Sequence, residues 1–409
     1  MMNTNKKTPK LRFKGFTDDW EQRQLGECMN SFAYGLNAAA KNYDGMHKYI
    51  RITDIDDETH NFIQSNLTSP DIDFNMDVSD YKLNVGDIVF ARTGASVGKT
   101  YLYNPNDGDL YYAGFLIRGK VKEDCDAGFI YQNTLTKEYD SFIRITSQRS
   151  GQPGVNSKEY ATFRLNIPCK DEQEKISKIL NCLDELFTLH QRKLEKLKLN
   201  KSALLQKLFP QNGCTIPEVR FKGFTDAWEQ RKFSDLYEKI SEKNDLSYSL
   251  DKIISVANMY YKSDAKVSNE EYLRTYNIFR YGEIAFEGNK SKEFTYGRFV
   301  ENTIGDGIIS HVFEVFRPIT KYDIYFWKYY INYEPIMGKV LSRCTKKTTM
   351  MTNLVAKDFL KETVFVPSLA EQKQIGILLN TLDKFITLHQ LKLDRLMSIK
   401  KGLLQQLFV

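Results

Sequence analysis

Two stretches of the chain carry the same heptad pattern, and each is long enough to form one continuous helix. Apolar residues recur in steps of four and three, which is the a and d spacing of a coiled-coil seam. The first seam consists of Ile176, Leu180, Leu183, Phe187, His190, Leu194, Leu197, Lys201, Leu204 and Leu208. The second consists of Ile375, Leu379, Leu382, Ile386, His389, Leu393, Leu396, Lys400, Leu403 and Leu407. Because His and Lys occupy the same seam positions in both, we interpret the stretches as copies of one helix.

The two copies match at a constant offset of 199 residues, from Pro168 and Pro367 to Phe209 and Phe408. Repeated polar seam residues favour a duplicated unit over the alternative, which is two unrelated amphipathic helices in separate cores. We expect the helices to pack antiparallel about a pseudo-two-fold axis, each following a globular module. The predicted fold class is α+β, with two mixed α/β modules separated by two long antiparallel coiled-coil helices and an internal pseudo-two-fold repeat.

The composition is typical of a globular protein outside the membrane. Hydrophobic residues make up 42% of the 409 residues, and the sequence contains no run of about 18 apolar residues that could span a bilayer. The N-terminal segment also lacks the apolar stretch of a signal peptide, so we expect a cytoplasmic protein. Six cysteines and five histidines are scattered without the spacing of metal ligands, and the sequence therefore predicts no metal site.

A second repeat precedes each module. The block 11–23 returns almost unchanged as 219–231, with Arg, Phe, Gly, Phe, Thr, Asp, Trp, Glu and Gln at matching positions. Its aromatic residues are typical of a docking segment that ties a module to its helix or to a partner. Local packing of a short entry turn and strand explains them equally well, so both alternatives stay open here.

The modules, at about 24–167 and 233–366, are predicted to consist mainly of strands and turns. In the first module, β-branched and aromatic residues predict strands at 48–55, 87–91 and 100–103. One shorter helix is expected around 127–145.

Three short correspondences relate the modules, although they share little identity elsewhere. Their residues are 85–90 with 281–286, 115–118 with 313–317, and 158–160 with 357–359. We therefore expect one scaffold that carries two different surfaces.

Two polar stretches of the first module have the composition of nucleic-acid contacts. Residues 94–100 resemble a phosphate-binding P-loop, but three residues separate Gly94 from Gly98-Lys99 where four are required, and no helix is predicted to follow. A turn that contacts DNA is the better interpretation. Residues 144–156 combine side chains that pair with bases and phosphates with glycines that allow close approach. The candidate DNA contacts are Arg92, Thr93, Ser96, Lys99, Thr100, Arg144, Ser147, Gln148, Arg149, Gln152 and Asn156.

The second module has a corresponding stretch at 342–349 that is also basic and rich in hydroxyl groups, but its residues differ. The candidate DNA contacts in this module are Asn289, Lys290, Lys292, Arg343, Lys346, Lys347 and Thr348. A polar loop before a strand has a similar composition in many proteins, so each of these residues is only a candidate. The formal net charge of +6 is a mild indication of nucleic-acid binding.

No catalytic constellation is recognisable. The sequence lacks a glycine-rich S-adenosylmethionine loop, the Asn-Pro-Pro-aromatic tetrapeptide of amino-methylating enzymes, a nuclease-like carboxylate–lysine cluster and helicase motifs. His190 and His389 lie on the heptad seams, where a packing role is more common than a catalytic one. Two alternatives to DNA recognition stay open: a methyltransferase or nuclease with unrecognised motifs, and a coiled-coil scaffold without DNA specificity.

Several motifs of this chain occur together in one protein family. They are the Arg-Phe-x-Gly-Phe-x-x-x-Trp blocks at 12–20 and 220–228, Gly-Gln-Pro-Gly-Val-Asn-Ser at 151–157 before Ile167-Pro168, and Glu-Gln-x-x-Ile at 172–176 and 371–375. Together they resemble the specificity subunits of type I restriction-modification systems over nearly the whole chain. The second module departs from this pattern, with Met-Met-Thr-Asn-Leu-Val-Ala at 350–356.

The resemblance implies four segments. They are a first target-recognition domain with its repeat block (1–167), a central conserved helix (168–209), a linker with a repeat block and second target-recognition domain (210–366), and a conserved C-terminal helix (367–409). Each domain would read one half of a bipartite, asymmetric site in double-stranded DNA, and the helices would set the spacing. The implied partners are two methyltransferase subunits and further restriction/translocase subunits. The chain itself would be non-catalytic and free of cofactors, with S-adenosylmethionine, ATP and Mg2+ on those partners.

Overall fold

The computed structural model describes residues 8–211, 213–262, 269–347 and 351–409. The chain forms two compact units, Met1–Gln191 with Leu391–Val409 and Arg192–Gln390. Each unit holds one module, the first part of one long helix and the last part of the other. The four-segment division implied by the family resemblance stays a prediction.

The first half of the chain is an α+β module followed by a long helix. Its strands are β1 (Glu21–Gln24), β2 (Met29–Tyr34), β3 (Ala40–Asn42), β4 (Lys48–Ile50), β5 (Thr68–Pro70), β6 (Asp87–Ala91), β7 (Thr100–Leu102), β8 (Leu110–Tyr112), β9 (Leu116–Val121) and β10 (Arg164–Ile167). Its helices are α1 (Ala127–Asn133), α2 (Lys137–Thr146), α3 (Ser157–Ala161) and α4 (Lys170–Leu208).

The second half repeats this order. Its strands are β11 (Glu229–Lys232), β12 (Tyr237–Ile240), β13 (Ile254–Ser255), β14 (Tyr260–Tyr261), β15 (Asn277–Phe279), β16 (Ile284–Glu287), β17 (Arg298–Glu301), β18 (Gly307–Ile309), β19 (Glu314–Pro318), β20 (Thr345–Lys347), β21 (Thr352–Leu354) and β22 (Thr363–Val366). Its helices are α5 (Ile324–Tyr330), α6 (Glu334–Cys344), α7 (Ala356–Lys361) and α8 (Leu369–Leu407).

Both modules are built on the same four-stranded antiparallel sheet. Its order is β2-β9-β6-β7 in the first module and β12-β19-β16-β17 in the second. A separate two-stranded ladder, β1 with β10 and β11 with β22, joins the start of each module to its end. The three predicted correspondences are confirmed, because they fall on β6 and β16, on β9 and β19, and on α3 and α7. The prediction of one shared scaffold therefore holds.

Two predicted elements differ from the structure. The helix expected over 127–145 is two helices, because Thr134 follows α1 and bonds back to the Tyr131 carbonyl oxygen, and Thr136 then caps α2. The strand expected over 48–55 ends at Ile50 and continues as a 3-10 turn over Ile52–Asp54. Here Asp54 bonds the backbone N–H of Arg51, and this local hydrogen bond competes with strand pairing.

Each long helix is continuous, as the heptad pattern predicted. Each has 39 residues, or roughly 58 Å at about 1.5 Å per residue. In the first unit the end of α8 packs against the start of α4, and Lys400 Nζ lies 2.6 Å from Asp184 Oδ1. In the second unit the end of α4 packs against the start of α8, and Lys201 Nζ lies 2.6 Å from Asp383 Oδ1. The antiparallel arrangement is thus confirmed within each unit.

The N-terminal repeat blocks tie each module to the start of its long helix. In the first, Arg12 forms an ion pair with Glu172 of α4, and Trp20 is buried with its ring centroid 5.7 Å from that of Phe129 in α1. The block therefore has the docking role that the sequence left open, with its aromatic anchor packed inside its own module. In the described residues, none of the helices has the length and apolar character needed to cross a membrane.

Candidate nucleic-acid interface

The two polar stretches of the first module lie against each other. One is the turn between β6 and β7 (residues 92–99, the 92–99 turn), and the other is the connection from α2 to α3 (residues 147–156, the 147–156 loop). Gly94 N donates to Pro153 O at 3.0 Å, and Val155 N donates to Arg92 O at 2.9 Å. An isolated antiparallel bridge also joins Thr93 to Gly154. Two segments about 55 residues apart in sequence thus form one polar surface.

The 92–99 turn is not a P-loop. It connects two antiparallel strands, and Gly94 and Gly98 adopt left-handed φ values of 81° and 89° that favour glycine. Gly98 N donates to Ala91 O at 3.0 Å and to the buried hydroxyl of Tyr160 at 3.1 Å. Because no helix follows the turn, its N–H groups lack the helix N-terminus on which a P-loop binds phosphate.

Most of the predicted contact residues in the first module are accessible. Arg92, Thr93 and Ser96 are partly exposed on the 92–99 turn. The exposed candidates on and next to the 147–156 loop are Arg144, Gln148, Arg149, Gln152 and Asn156. Of these, Arg149 also bonds Glu159 at 2.5 Å, which neutralises part of its charge.

Four candidates have structural roles that argue against DNA contact. Thr100 is fully buried, and its hydroxyl pairs with that of Thr134 at 2.7 Å. Lys99 donates to Ile55 O at 2.9 Å and forms an ion pair with Asp57. Ser147 is also buried. Asn156 remains exposed but caps α3 by accepting from Glu159 N at 3.0 Å. Thr100 and Ser147 were expected at the surface because a polar stretch of sequence does not show which of its residues are buried.

Two aromatic residues at this surface were not predicted. Tyr34 ends β2 and Phe115 precedes β9, and both are exposed. Tyr34 Oη lies 3.3 Å from Ser157 Oγ, and this hydrogen bond lowers the pKa of Tyr34. Neither residue stands in a polar or basic stretch. They reach the 92–99 turn only because β2 pairs with β9 and β9 pairs with β6, the strand that leads into the turn.

The second module has the same arrangement at the corresponding place. The connection from β16 to β17 (288–297) meets the β20–β21 hairpin, where Thr352 N donates to Gly288 O at 2.9 Å and Thr352 Oγ1 donates to Tyr296 O at 2.9 Å. An isolated antiparallel bridge joins Asn289 to Met351, as Thr93 is joined to Gly154 in the first module. The backbone scheme is retained although the two stretches share no sequence motif.

Most of the predicted contact residues of the second module lie on two segments, and one residue lies outside the described residues. Asn289, Lys290 and Lys292 are exposed on the 288–297 connection, and Lys346 is exposed on β20. Lys347 is also on β20, whereas Thr348 lies outside the described residues.

Carboxylates neutralise other cations near this second surface. Arg343 forms two hydrogen bonds of 3.0 Å from Nε to Glu362, and this interaction raises the arginine pKa. Arg298 Nε lies 2.7 Å from Glu287 Oε2 in the adjacent strand. The two surfaces thus share a backbone plan but differ in charge and hydrogen-bonding groups.

Comparisons with known proteins agree with this architecture. A family model for the type I restriction modification DNA specificity domain matches residues 17–199 and 225–397. The putative type I restriction enzyme MjaX specificity subunit of Methanocaldococcus jannaschii is 24% identical over 196 residues, which are 47% of this chain and 46% of that protein. The MjaVIII specificity subunit of the same organism is 24% identical over 127 residues, covering 31% of this chain and 29% of that one. The chain thus spans less than half the length of these curated relatives.

A solved structure extends the likeness to the whole fold. The crystal structure of the type I restriction-modification system S subunit from M. genitalium superimposes with a TM-score of 0.66 at 14% identity, covering 98% of this chain and 99% of that one. At this identity the superposition shows the fold alone. The two family matches, one over each module and most of its helix, establish the relationship: this chain belongs to the type I restriction-modification DNA specificity family.

Proposed function

We propose that this chain is the DNA sequence-recognition subunit of a type I restriction-modification complex. Each module binds one half of a bipartite, asymmetric site in double-stranded DNA. The observation that carries the proposal is the repeated junction of two loops, marked by the Thr93–Gly154 and Asn289–Met351 bridges. The scaffold behind both junctions is the same, while the side chains on them differ. This combination supports two recognition surfaces of different specificity on one duplicated fold.

The residues proposed to contact DNA have suitable side-chain chemistry, and those whose exposure the structure describes are accessible to solvent. Arginine and lysine bind phosphates or guanine, and glutamine and asparagine bind adenine. In the first module they are Arg92, Thr93, Ser96, Arg144, Gln148, Arg149 and Gln152. In the second module they are Asn289, Lys290, Lys292 and Lys346, together with Lys347, Thr348 and Arg343 from the predicted set.

The long helices are proposed to set the distance between the half-sites and to bind the methyltransferase subunits. Leu186 and Leu189 of α4 are exposed, and so are Phe385 and Leu388 of α8, which occupy the same positions in the second copy. Exposed apolar pairs of this kind are typical of protein interfaces. Because the pair occurs once on each helix, it supports two equivalent docking positions, one for each of two methyltransferase subunits.

The catalytic steps are assigned to partner subunits in this proposal. Methyltransferase subunits would supply S-adenosylmethionine chemistry, and restriction/translocase subunits would supply ATP-dependent movement and Mg2+-dependent cleavage. The recognition subunit would bring these activities to a defined sequence without catalysing a reaction itself.

Single-molecule sequencing of methylated genomic DNA tests the proposal. Cells carry the methyltransferase subunit of the same system with or without this chain, and N6-methyladenine is mapped. We expect a split motif with a fixed gap only when the chain is present. A matched variant with the 345–354 segment of another family member should change one half-site and leave the other intact.

Two results would contradict the proposal. Co-purification with the methyltransferase without any methylated motif would favour the scaffold alternative. Methylation or Mg2+-dependent DNA cleavage by the purified chain alone would favour the enzyme alternative.

A further inference from the structure

Arg92 lies between two exposed aromatic rings on the DNA-facing surface proposed for the first module. Its guanidinium carbon is 5.1 Å from the ring centroid of Tyr34 and 5.7 Å from that of Phe115. Arg92 N also donates to Phe115 O at 3.0 Å, which fixes the backbone of both residues. Tyr34 and Phe115 are 43% and 60% exposed as residues, so this group, the Tyr34–Arg92–Phe115 cluster, is at the surface.

The charge of Arg92 is not neutralised within the cluster. Among the residues that the structure describes, no carboxylate lies within ion-pair distance of its guanidinium, and its buried Nε has no hydrogen-bond acceptor. Nearby Arg149, in contrast, bonds Glu159 at 2.5 Å. A cation that is held in place but lacks an acidic partner retains donors for a ligand.

The surroundings of Arg92 favour a base over a phosphate as that ligand. Two ring faces hold the guanidinium by cation–π contacts, so the side chain loses little further freedom on binding. A fixed planar guanidinium matches the O6 and N7 acceptors of guanine in the major groove, and this is the commonest specific arginine contact with DNA. A phosphate is also bound by the mobile ammonium of lysine as a point charge, so phosphate binding alone does not call for a planar group held in one orientation.

The second module lacks all three members of the cluster. The strand registers place Ile88 opposite Gly119 and Ile284 opposite Phe316, so the two sheets can be aligned residue by residue. In this alignment Tyr34, Arg92 and Phe115 correspond to Ser241, Gly288 and Val312. The cluster is therefore part of the surface that differs between the modules and not of the shared scaffold.

We infer that Arg92, oriented by Tyr34 and Phe115, is a specificity-determining residue that recognises a guanine in the half-site of the first module. This inference rests on the proposed function, because it assumes that the first module reads a half-site. It assigns one base and one residue, whereas the proposed function assigns only a surface.

The test compares methylated motifs for the wild-type chain, Arg92→Lys and Arg92→Ala, each with its methyltransferase subunit. Lysine keeps the charge but loses the planar fork. We expect both variants to lose at least tenfold of the preference for guanine at one position, while the second half-site and the gap stay unchanged. Arg164→Ala, which removes an exposed arginine on β10 of the first module, outside the surface proposed to contact DNA, is the matched control and should leave that position intact.

Several outcomes would overturn the inference. A wild-type half-site without guanine on either strand excludes it, and so does an Arg92→Lys variant with unchanged preference at every position. A uniform loss of methylation by Arg92→Lys, with unaltered preference and an unchanged unfolding temperature, would assign the residue to a phosphate. The half-site of the first module is identified as the one that the 345–354 exchange leaves intact. If the wild-type chain directs no methylated motif at all, the proposed recognition function is contradicted. If it directs a motif but the Arg92 variants keep every base preference, only the guanine contact of Arg92 is contradicted.

Discussion

The guanidinium of Arg12 holds both carboxylate oxygens of Glu172, with Nε 2.8 Å from Oε1 and Nη2 2.9 Å from Oε2. Arg220 holds Glu371 in the same way, at 2.7 and 2.8 Å. In each half the arginine belongs to the repeated N-terminal block and the glutamate to the first turn of a long helix. In both halves the repeated block therefore fixes a module to the start of its helix.

Replacing Arg12 with alanine should destabilise the first unit. The Glu172 side chain is only 1% exposed, so its carboxylate would remain buried without a partner, and we expect a loss of about 3 kcal/mol. Arg23→Ala is the matched control, because its partner Glu21 is 65% exposed and the pair should contribute at most about 1 kcal/mol. Urea unfolding of both variants measures the difference. Equal losses would show that the Arg12 pair acts as an ordinary surface ion pair.

The sequence offered docking of the repeated block onto its helix as one alternative, but it did not identify Arg12 and Glu172 as partners. Both residues recur at matching positions in the second half, and the motif at 172–176 placed Glu172 at the start of a helix. Nothing local joins two residues 160 positions apart. The contact depends on the β1–β10 ladder, which brings the end of the N-terminal block beside the strand that leads into α4.

Gly376 of α8 should be intolerant of any larger residue. A Cβ there would overlap Asp323 Oδ1 and lie 2.7 Å from Phe326 N, both at the start of α5. We expect Gly376→Ala to destabilise the second unit by about 1–3 kcal/mol through overpacking. Gly402→Ala is the control in the same helix, because no atom lies within 4 Å of its added Cβ. That control should be neutral or stabilising by up to about 1 kcal/mol through helix propensity, as thermal unfolding can measure.

The first half solves the same packing problem in the opposite way. There the glycine is on the short helix, as Gly128, and its neighbour on the long helix is Ser177, at the position that corresponds to Gly376. The contact requires a glycine on either the short helix or the long helix, and each half of the chain places it on a different one. Because the two helices carry different residues at this position, Ser177 and Gly376, comparing the two copies does not mark it as a shared feature. The contact was therefore not predicted from the sequence.

Glu301 should make the second unit less stable as the pH rises. Its side chain is 2% exposed, and neither carboxylate oxygen has a hydrogen-bond partner among the described residues. Burial first, and the charge of Asp323 second, raise the pKa of Glu301 well above its ordinary value of 4.5. The folded state therefore retains a proton that the unfolded state releases. The stabilisation is complete below the ordinary pKa and is lost as the pH rises through the raised folded pKa.

Glu301→Leu should remove this pH dependence. The corresponding residue of the first module is Leu102, which pairs with Ile88 as Glu301 pairs with Ile284, so the scaffold accommodates leucine at this position. Urea unfolding of the wild type and the variant is compared from about pH 5 to about pH 9, and we expect the difference in free energy of unfolding to grow with pH. A difference that is constant across this range would show that Glu301 does not change its protonation on unfolding.

The candidate site shows where sequence reasoning succeeds and where it fails. Composition singled out two loops of the first module that the structure brings together, because Arg, Gln and Gly cluster locally in them. It could not separate Arg92, which reaches the surface, from Thr100, which is buried against Thr134, since both lie in one polar stretch. It also could not find Tyr34 and Phe115, because their proximity to Arg92 arises from strand pairing.

If the long helices set the spacing between the half-sites, as proposed, lengthening both helices by one heptad should lengthen that spacing. One heptad inserted after Gln191 in α4 and another after Gln390 in α8 preserve the seam register in both helices and leave each unit's module contacts unchanged. Seven residues lengthen a helix by about 10 Å, which corresponds to about three base pairs. We therefore expect the methylated motif to keep both half-sites and to gain about three unspecified base pairs between them.

An insertion in only one of the two helices is the matched control. It adds the same number of residues but leaves the antiparallel partners with unequal lengths, so ion pairs such as Lys400–Asp184 and Lys201–Asp383 cannot both form in one register. We expect this variant to lose directed methylation, whereas the double insertion retains it at the longer spacing. Sequencing of methylated DNA distinguishes the two cases. A double-insertion variant that methylates the original motif with its original gap would show that the helices do not set the spacing, and the distance between half-sites would then have to be a property of the partner subunits.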